Sequence, residues 1–243
     1  MRSSPFRLVP AALCLVLLAG CAEDPEAARA AAAAQAQARE DAARESLAAF
    51  DKAVADENWP LARAQADVLM ADHPGTAAAA RAAADYDEIK AKAEAMRETR
   101  RLAALWSYDN IAVGQGQQRS AAIYAKDDVD VDGSGPSQVR LIFRDHPAWG
   151  RSSYLVLQRG DFDCYGGCRL QIVVDGKPAK TLPGSRPKTD EAIAMFVEDE
   201  RALWTLAKDA NTVEIEFPVR GLGKRRAVFE VGGLEPQRMP GWW

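Results

Sequence analysis

The spacing of apolar residues changes character near residue 105. Before it, the period is helical. Leu47, Phe50 and Val54 recur at i, i+3 and i+7, and Leu61, Ala62, Ala66 and Leu69 form a second inward stripe. Asp56-Glu57-Asn58 reads as the polar turn between these helices. Pro60 suits the first turn of the second helix, where its missing N–H loses no partner. His73-Pro74-Gly75 ends that helix, and Thr76 stands where an N-cap opens a third helix running to about Ala104.

After residue 105 the period is two. Val139, Leu141 and Phe143 recur at alternate positions, as do Leu170, Ile172 and Val174, and Val213, Ile215 and Phe217. The pattern predicts strands over 105–113, 119–125, 138–144, 153–158, 169–174, 212–219 and 225–231, with one helix at about 199–208. Asp175-Gly176 is a tight-turn signal. The expected fold class is α+β: an alanine-rich helical hairpin extended by a third helix, then an antiparallel β-sandwich of about seven strands with one short helix. A partly open barrel fits the same pattern.

Composition supports the division. Residues 22–106 hold 32 Ala and one Gly, whereas residues 107–243 hold 12 Ala and 15 Gly. Alanine favours helix and glycine disfavours it. Residues 25–43 carry almost nothing large to bury, so 21–43 is expected to be a tether or a free-lying helix, with 44–104 helical and 105–243 the β-domain.

The first 20 residues read differently. Arg2 and Arg7 precede an apolar run of 11 residues from Leu8 to Leu18. A bilayer span needs about 20 residues, so this run reads as a secretory signal. It ends in Leu18-Ala19-Gly20-Cys21, followed by Glu23, Asp24 and Glu26. That tetrad resembles the lipobox of bacterial lipoproteins. The resemblance implies cleavage before Cys21 and a diacylglyceryl thioether with an acylated amine on that residue. Two or more acyl chains anchor a protein stably, one only marginally. Ala22, where an Asp would favour the inner membrane, implies the outer membrane, with the chain facing the periplasm. Removal of residues 1–20 takes away two Arg and no acid, so the net charge of −4 becomes −6. No basic surplus of the kind that binds nucleic acid is present.

Phe50-x(8)-Trp59-x(2)-Ala62, leading into Leu69-x(3)-His73-Pro74-Gly75-Thr76-x-Ala78-Ala79, resembles the tetratricopeptide repeat family over about 45 residues. Similar segments occur in outer-membrane lipoproteins that scaffold barrel assembly. Stable solenoids need at least three repeats, so the family's concave peptide groove is not carried over. In the β-region, Trp106-Ser107-Tyr108, Arg119-x-Ala121-x-Ile123 and Phe229-x(3)-Gly233-Leu234 resemble periplasmic proteins associated with type VI secretion. These short motifs imply no function by themselves.

Candidate chemistry is sparse. Cys14 leaves with the signal and Cys21 takes lipid, which leaves Cys164 and Cys168 in Phe162-Asp-Cys-Tyr-Gly-Gly-Cys168. In an oxidising compartment the pair reads as a disulfide, with Gly166-Gly167 allowing the reversal. A redox-active pair is the alternative, but three residues intervene instead of two and no helix N-terminus follows to stabilise a thiolate. Asp128, Asp130 and Asp132 with Gly133 resemble the opening of a calcium loop. The twelfth position is Val139, where that loop needs a bidentate Glu, so a solvated acidic connection is the better reading. His73 and His146 each precede a proline, and Ser152 and Ser153 near His146 do not make a triad without an orienting carboxylate. No catalytic residue, metal site or cofactor is assigned. Lys224-Arg225-Arg226 reads as a solvated hairpin turn, and Trp242 and Trp243 as packing back onto the domain.

The expected role is therefore non-enzymatic. It is binding or scaffolding of a protein partner in the envelope by a chain held to the membrane through Cys21. One alternative is an inhibitor or immunity lipoprotein whose Phe162–Cys168 loop plugs a toxin's cleft with Tyr165 exposed. Another is an enzyme, either a thiol oxidoreductase or a carboxylate hydrolase.

Overall fold

A computed structural model describes residues 24–188 and 193–242. The signal, Cys14, the lipobox with Cys21, and Trp243 lie outside the described residues. The chain divides into two compact units, one of residues up to 57 with 61–87, the other of residues 58–60 with 88 onward.

The first unit is helical. Asp24 caps α1 (Pro25–Ala55), its carboxylate accepting the Glu26 N–H at 2.9 Å with Pro25 at the opening position. The segment expected as a tether or a free-lying helix is helical from Pro25 onward, exposed apart from half-buried Glu40 until Ala43 reaches the interior. Alanine's propensity carries a helix over residues that bury nothing. α2 (Trp59–Asp72) and α3 (Ala77–Ala104) follow. Thr76 caps α3 as its position predicted, its Oγ1 accepting from the Ala79 N–H at 3.2 Å. Up to residue 87, where this unit ends, the buried positions are small: Ala43, Ala53, Ala62, Ala66, Ala78, Ala79 and Ala82, with Phe50 and Leu69 the large ones. Leu61, expected on the inner stripe of α2, is instead 44% exposed. Arg81 with Asp51 at 2.9 Å and the Tyr86 hydroxyl on Asp67 at 2.7 Å tie the helices laterally.

The second unit is built on one antiparallel sheet. Its strands are β1 (Trp106–Val113), β2 (Gly116–Tyr124), β5 (Val139–His146), β6 (Gly150–Leu157), β7 (Cys168–Val174), β8 (Lys177–Ser185), β9 (Ala194–Val197), β10 (Val213–Val219) and β11 (Gly223–Phe229). The two-residue strands β3 (Val129–Asp130) and β4 (Pro136–Ser137) pair separately. The order across the large sheet is β1-β2-β5-β6-β9-β8-β7-β10-β11. Two packed sheets of about seven strands were expected; instead nine strands hydrogen-bond in one continuous series. All seven predicted strands are present. The two additional ones, β8 and β9, evade the pattern for separate reasons. β8 carries Pro178 and Pro183, which argue against a central strand. It tolerates them because β9 meets it only at Gly184 and Ser185, leaving most of its far side without a ladder. β9 is four residues long.

One face of this sheet holds the core. Inward residues of strands far apart in the order, among them Trp106, Phe143, Leu155, Ile172, Phe217 and Phe229, belong to one buried cluster. The sheet must curl for these side chains to meet. Its far edge is met by the segment after β2: the Lys126 N–H donates to the Val228 carbonyl at 2.7 Å, and Arg225 Nε to the Asp130 carbonyl at 2.8 Å. α4 (Glu200–Lys208), capped by Asp199 on the Ala202 N–H, buries Leu203, Trp204 and Ala207 in the same cluster. The C-terminal segment completes it. Trp242 is buried, as expected, with its ring centroid 5.0 Å from Trp204 and 5.4 Å from Phe143.

The end of α3 is fastened to the segment after β11. A Cβ on Gly233 would fall 2.1 Å from the Leu102 carbonyl carbon, so no side chain fits there. Arg101 pairs with Glu230 at 2.8 Å, and the Arg101 guanidinium holds the Glu230 carboxyl below the usual carboxylate range. Phe143 touches Trp106, Trp204 and Trp242 together. Phe143→Ala is expected to destabilise the second unit by about 3–5 kcal/mol. Urea unfolding followed by tryptophan fluorescence should show a lowered midpoint at unchanged slope.

Candidate functional site

Cys164 and Cys168 lie at disulfide distance, with Cα atoms 5.0 Å apart. Gly166 and Gly167 sit at φ 80° and 105°, a region that L side chains rarely adopt, which is what the tight reversal needs. The Gly167 N–H donates to the Cys164 carbonyl at 3.2 Å. The bridge lies against Gly184, where a Cβ would come within 3.2 Å of the Cys168 sulfur.

Both ends of this loop are anchored. Phe162 is fully buried and sits edge-on to Phe217 at 5.5 Å. The Asp163 N–H donates to the Pro218 carbonyl, and the Arg220 N–H to the Asp161 carbonyl. Beneath the loop lies a buried charge cluster. Asp161 accepts from Arg186 at 2.7 Å on one oxygen and meets Arg220 at 2.7 Å on the other, and Arg186 also donates to the Phe162 carbonyl. The Arg186 and Asp161 side chains are almost wholly buried. What the anchored loop presents to solvent is Tyr165, 70% exposed.

Beside the loop opens a cleft of about 670 Å³. Gly166, Gly167 and Arg169 line one side, and Pro183, Gly184, Ser185, Lys188 and Glu198 the other. The Ser185 hydroxyl is hydrogen-bonded to the Glu198 carboxylate. Arg169 and Lys188 give this rim positive charge.

The other candidates fall elsewhere. Asp130 and Asp132 spend their carboxylates on their own turn: Asp130 accepts from the Gly133 N–H at 2.7 Å, and Asp132 from the Ser134 N–H and hydroxyl. Asp132 also faces Arg159 at 3.3 Å, and these donors hold its carboxyl below the usual range. Asp128 is exposed. Among the described residues no group of three acidic, His or Cys side chains is gathered for a metal ion. His146 Nδ1 accepts from the Ala148 and Trp149 N–H groups, and its ring stacks on Trp149 at 4.0 Å. It thus shapes a turn, while the Ser153 side chain points into the core. His73 lies 3.4 Å from the Ser46 hydroxyl. Lys224 and Arg226, expected as solvated turn charges, form a ladder with Glu214 and Glu216 across β10 and β11. Both cations hold the Glu216 carboxyl below its usual range.

Two features had no signal in the chain. Asp161, Arg186 and Arg220 are separated by 25 and 34 residues and meet only once β7, β8 and β10 are aligned. Trp149 stands 72% exposed on the turn between β5 and β6, in a pattern that marks it only as a turn residue.

The architecture defines a mixed protein with a helical unit and an antiparallel-sheet unit. No family model, no curated protein and no solved structure matches the chain.

Removing one partner of a buried ion cluster costs about 3–5 kcal/mol, because it leaves like charges facing each other without their counter-ion. Asp161→Ala is therefore expected to lower stability by that amount. It should also raise amide hydrogen exchange over residues 163–167, which mass spectrometry of peptides from that loop would read.

Proposed function

We propose that this chain is a lipid-anchored envelope protein, held to the outer membrane through Cys21 and facing the periplasm, whose role is to bind or scaffold a protein partner. The tetrad Leu18-Ala19-Gly20-Cys21 behind an apolar signal-like run carries this reading. The disulfide supports it, because such bonds persist in oxidising compartments. The helical unit serves as the spacer or docking element, in keeping with its resemblance to one tetratricopeptide repeat. The curled sheet carries the rigid recognition surface.

A second reading has a specific observation behind it. An inhibitor or immunity lipoprotein that plugs a toxin's cleft acts through a projecting loop, and Tyr165, 70% exposed on its disulfide-pinned, ion-anchored loop, has that form. Rigid, amphipathic tyrosine side chains bind at low entropic cost.

Both readings need the anchor and a partner. In metabolically labelled cells, Cys21→Ser is expected to abolish fatty-acid incorporation and to release the protein from the membrane fraction. A photo-crosslinker at position 165 should capture one dominant envelope protein. Labelling that survives Cys21→Ser defeats the anchor, and the lack of any specific adduct defeats the binding role.

A further inference from the structure

The outer face of the sheet, on the side away from the core, carries a second surface. Val139, Leu141 and Phe143 of β5 point inward, so Arg140, Ile142 and Arg144 stand on the outer face at alternate positions. Their cross-strand neighbours extend it: Tyr124 opposite Arg140, Tyr154 opposite Ile142, and Phe196 opposite Tyr154.

The two arginines are held by rings. Arg140 lies 5.2 Å from the Tyr124 ring centroid, and Arg144 lies 5.5 Å from Trp149 and 5.2 Å from Tyr154. Among the described residues neither guanidinium is paired with a carboxylate. Arg140 makes a single side-chain hydrogen bond, to the Ser107 hydroxyl. Arg140 Nε, Arg144 Nε and the Oγ of Ser152, the cross-strand neighbour of Arg144, are buried with no partner among the described residues. An aromatic face attracts a cation but satisfies none of its N–H groups. The buried Nε atoms are closed to a partner from outside, so an incoming acceptor meets the terminal guanidinium nitrogens.

The spacing selects the acceptor. Residues four apart on one strand lie about 13 Å apart on the same face. Carboxylates at i and i+4 of a second extended chain have the same separation, with the i+2 side chain between them facing Ile142. The planar guanidinium fork matches a carboxylate in two-point geometry. We propose that this face recognises an acidic, extended segment of a partner protein, with carboxylates at i and i+4 on Arg140 and Arg144 and an apolar residue at i+2 over Ile142. The inference rests on the binding role proposed above and locates its contact.

The test uses the full chain in detergent and a fluorescein-labelled peptide, Gly-Asp-Thr-Val-Thr-Asp-Gly, followed by anisotropy. Two further peptides serve as controls, one with both Asp replaced by Asn and one with the two Asp adjacent. Binding is expected to weaken about tenfold or more for the Asn peptide and for the Arg140→Gln/Arg144→Gln chain, the loss expected for charge-assisted bonds. The adjacent-Asp peptide should bind less tightly than the spaced one, and unchanged thermal unfolding should show that the variant folds. Equal binding of all three peptides, or none by the spaced one, overturns the proposal. So does arginine-dependent binding to phosphatidylglycerol vesicles by a chain that ignores the peptide, since the surface would then be one for lipid. The crosslinker at position 165 separates the two levels. Capture of the same partner at full yield by the double variant overturns this contact and leaves the binding role standing. Peptide binding without any partner in cells removes the role and leaves the contact.

Discussion

A sheet with one short helix to cover it has only itself against which to bury an apolar face. That constraint organises the second unit. Nine strands in one series bring Trp106 from one edge and Phe229 from the other into a single cluster, and the cluster exists only if the sheet curls. The gap left by curling is filled by aromatic rings instead of a second layer. Phe143 meets Trp204 from α4 and Trp242 from the C-terminal segment, so that segment is part of what holds β5. Rings at centroid distances near 5 Å combine large buried area with preferred edge-to-face geometry. The edge of β11 is met by the segment between β2 and β5, whose Lys126 N–H donates to the Val228 carbonyl and whose Asp130 carbonyl accepts from Arg225, which blunts one of the two edges of an open sheet.

With the inner face committed to the core, the turns and the outer face are what the sheet leaves to solvent. Rigidity there comes from different devices. The loop under Tyr165 is fixed by a covalent bridge, a buried ring and an ion cluster, three constraints on seven residues. The turn bearing Trp149 is fixed by a histidine whose ring nitrogen accepts two successive backbone N–H groups while its face supports the indole. A side chain preorganised in this way loses little entropy on binding. The free energy of each device is spent on presenting an aromatic group to solvent, where it adds nothing to the core.

Local signals were legible and long-range ones were not. Thr76, the Asp56–Asn58 turn, Asp175-Gly176 and the period-two runs each act within a few residues, and the structure places them as their chemistry demands. The Cys164–Cys168 loop was legible for the same reason, because its Gly166-Gly167 reversal is local. β8 was hidden by Pro178 and Pro183, whose acceptability depends on how little of β9 lies beside them. The choice of one sheet over two depends on β6 pairing with β9 and β7 with β10, which are separated by tens of residues. Lys224 and Arg226 read as solvated turn charges and remain exposed, but their pairing follows only from the β10–β11 register, which sets Arg226 directly opposite Glu216. Register is a property of the fold, and charges across a hairpin cannot be paired before it is known.

Arg144 and Arg186 show what this register decides. Both are arginines of the sheet unit with guanidinium nitrogens withdrawn from water. Arg186 is drawn inward onto Asp161 at 2.7 Å, and there its charge serves the anchoring of a loop. Arg144 stands on the outer face between Trp149 and Tyr154, with Ser152 opposite and no acid in reach among the described residues. If stability alone set this position, a carboxylate at 152 across the strand would complete the pair at small cost, since opposite charges directly across a strand are favourable. Serine is too short and uncharged to do so. The two rings attract the guanidinium but accept none of its N–H groups, which is what leaves its charge for the outside acceptor proposed above.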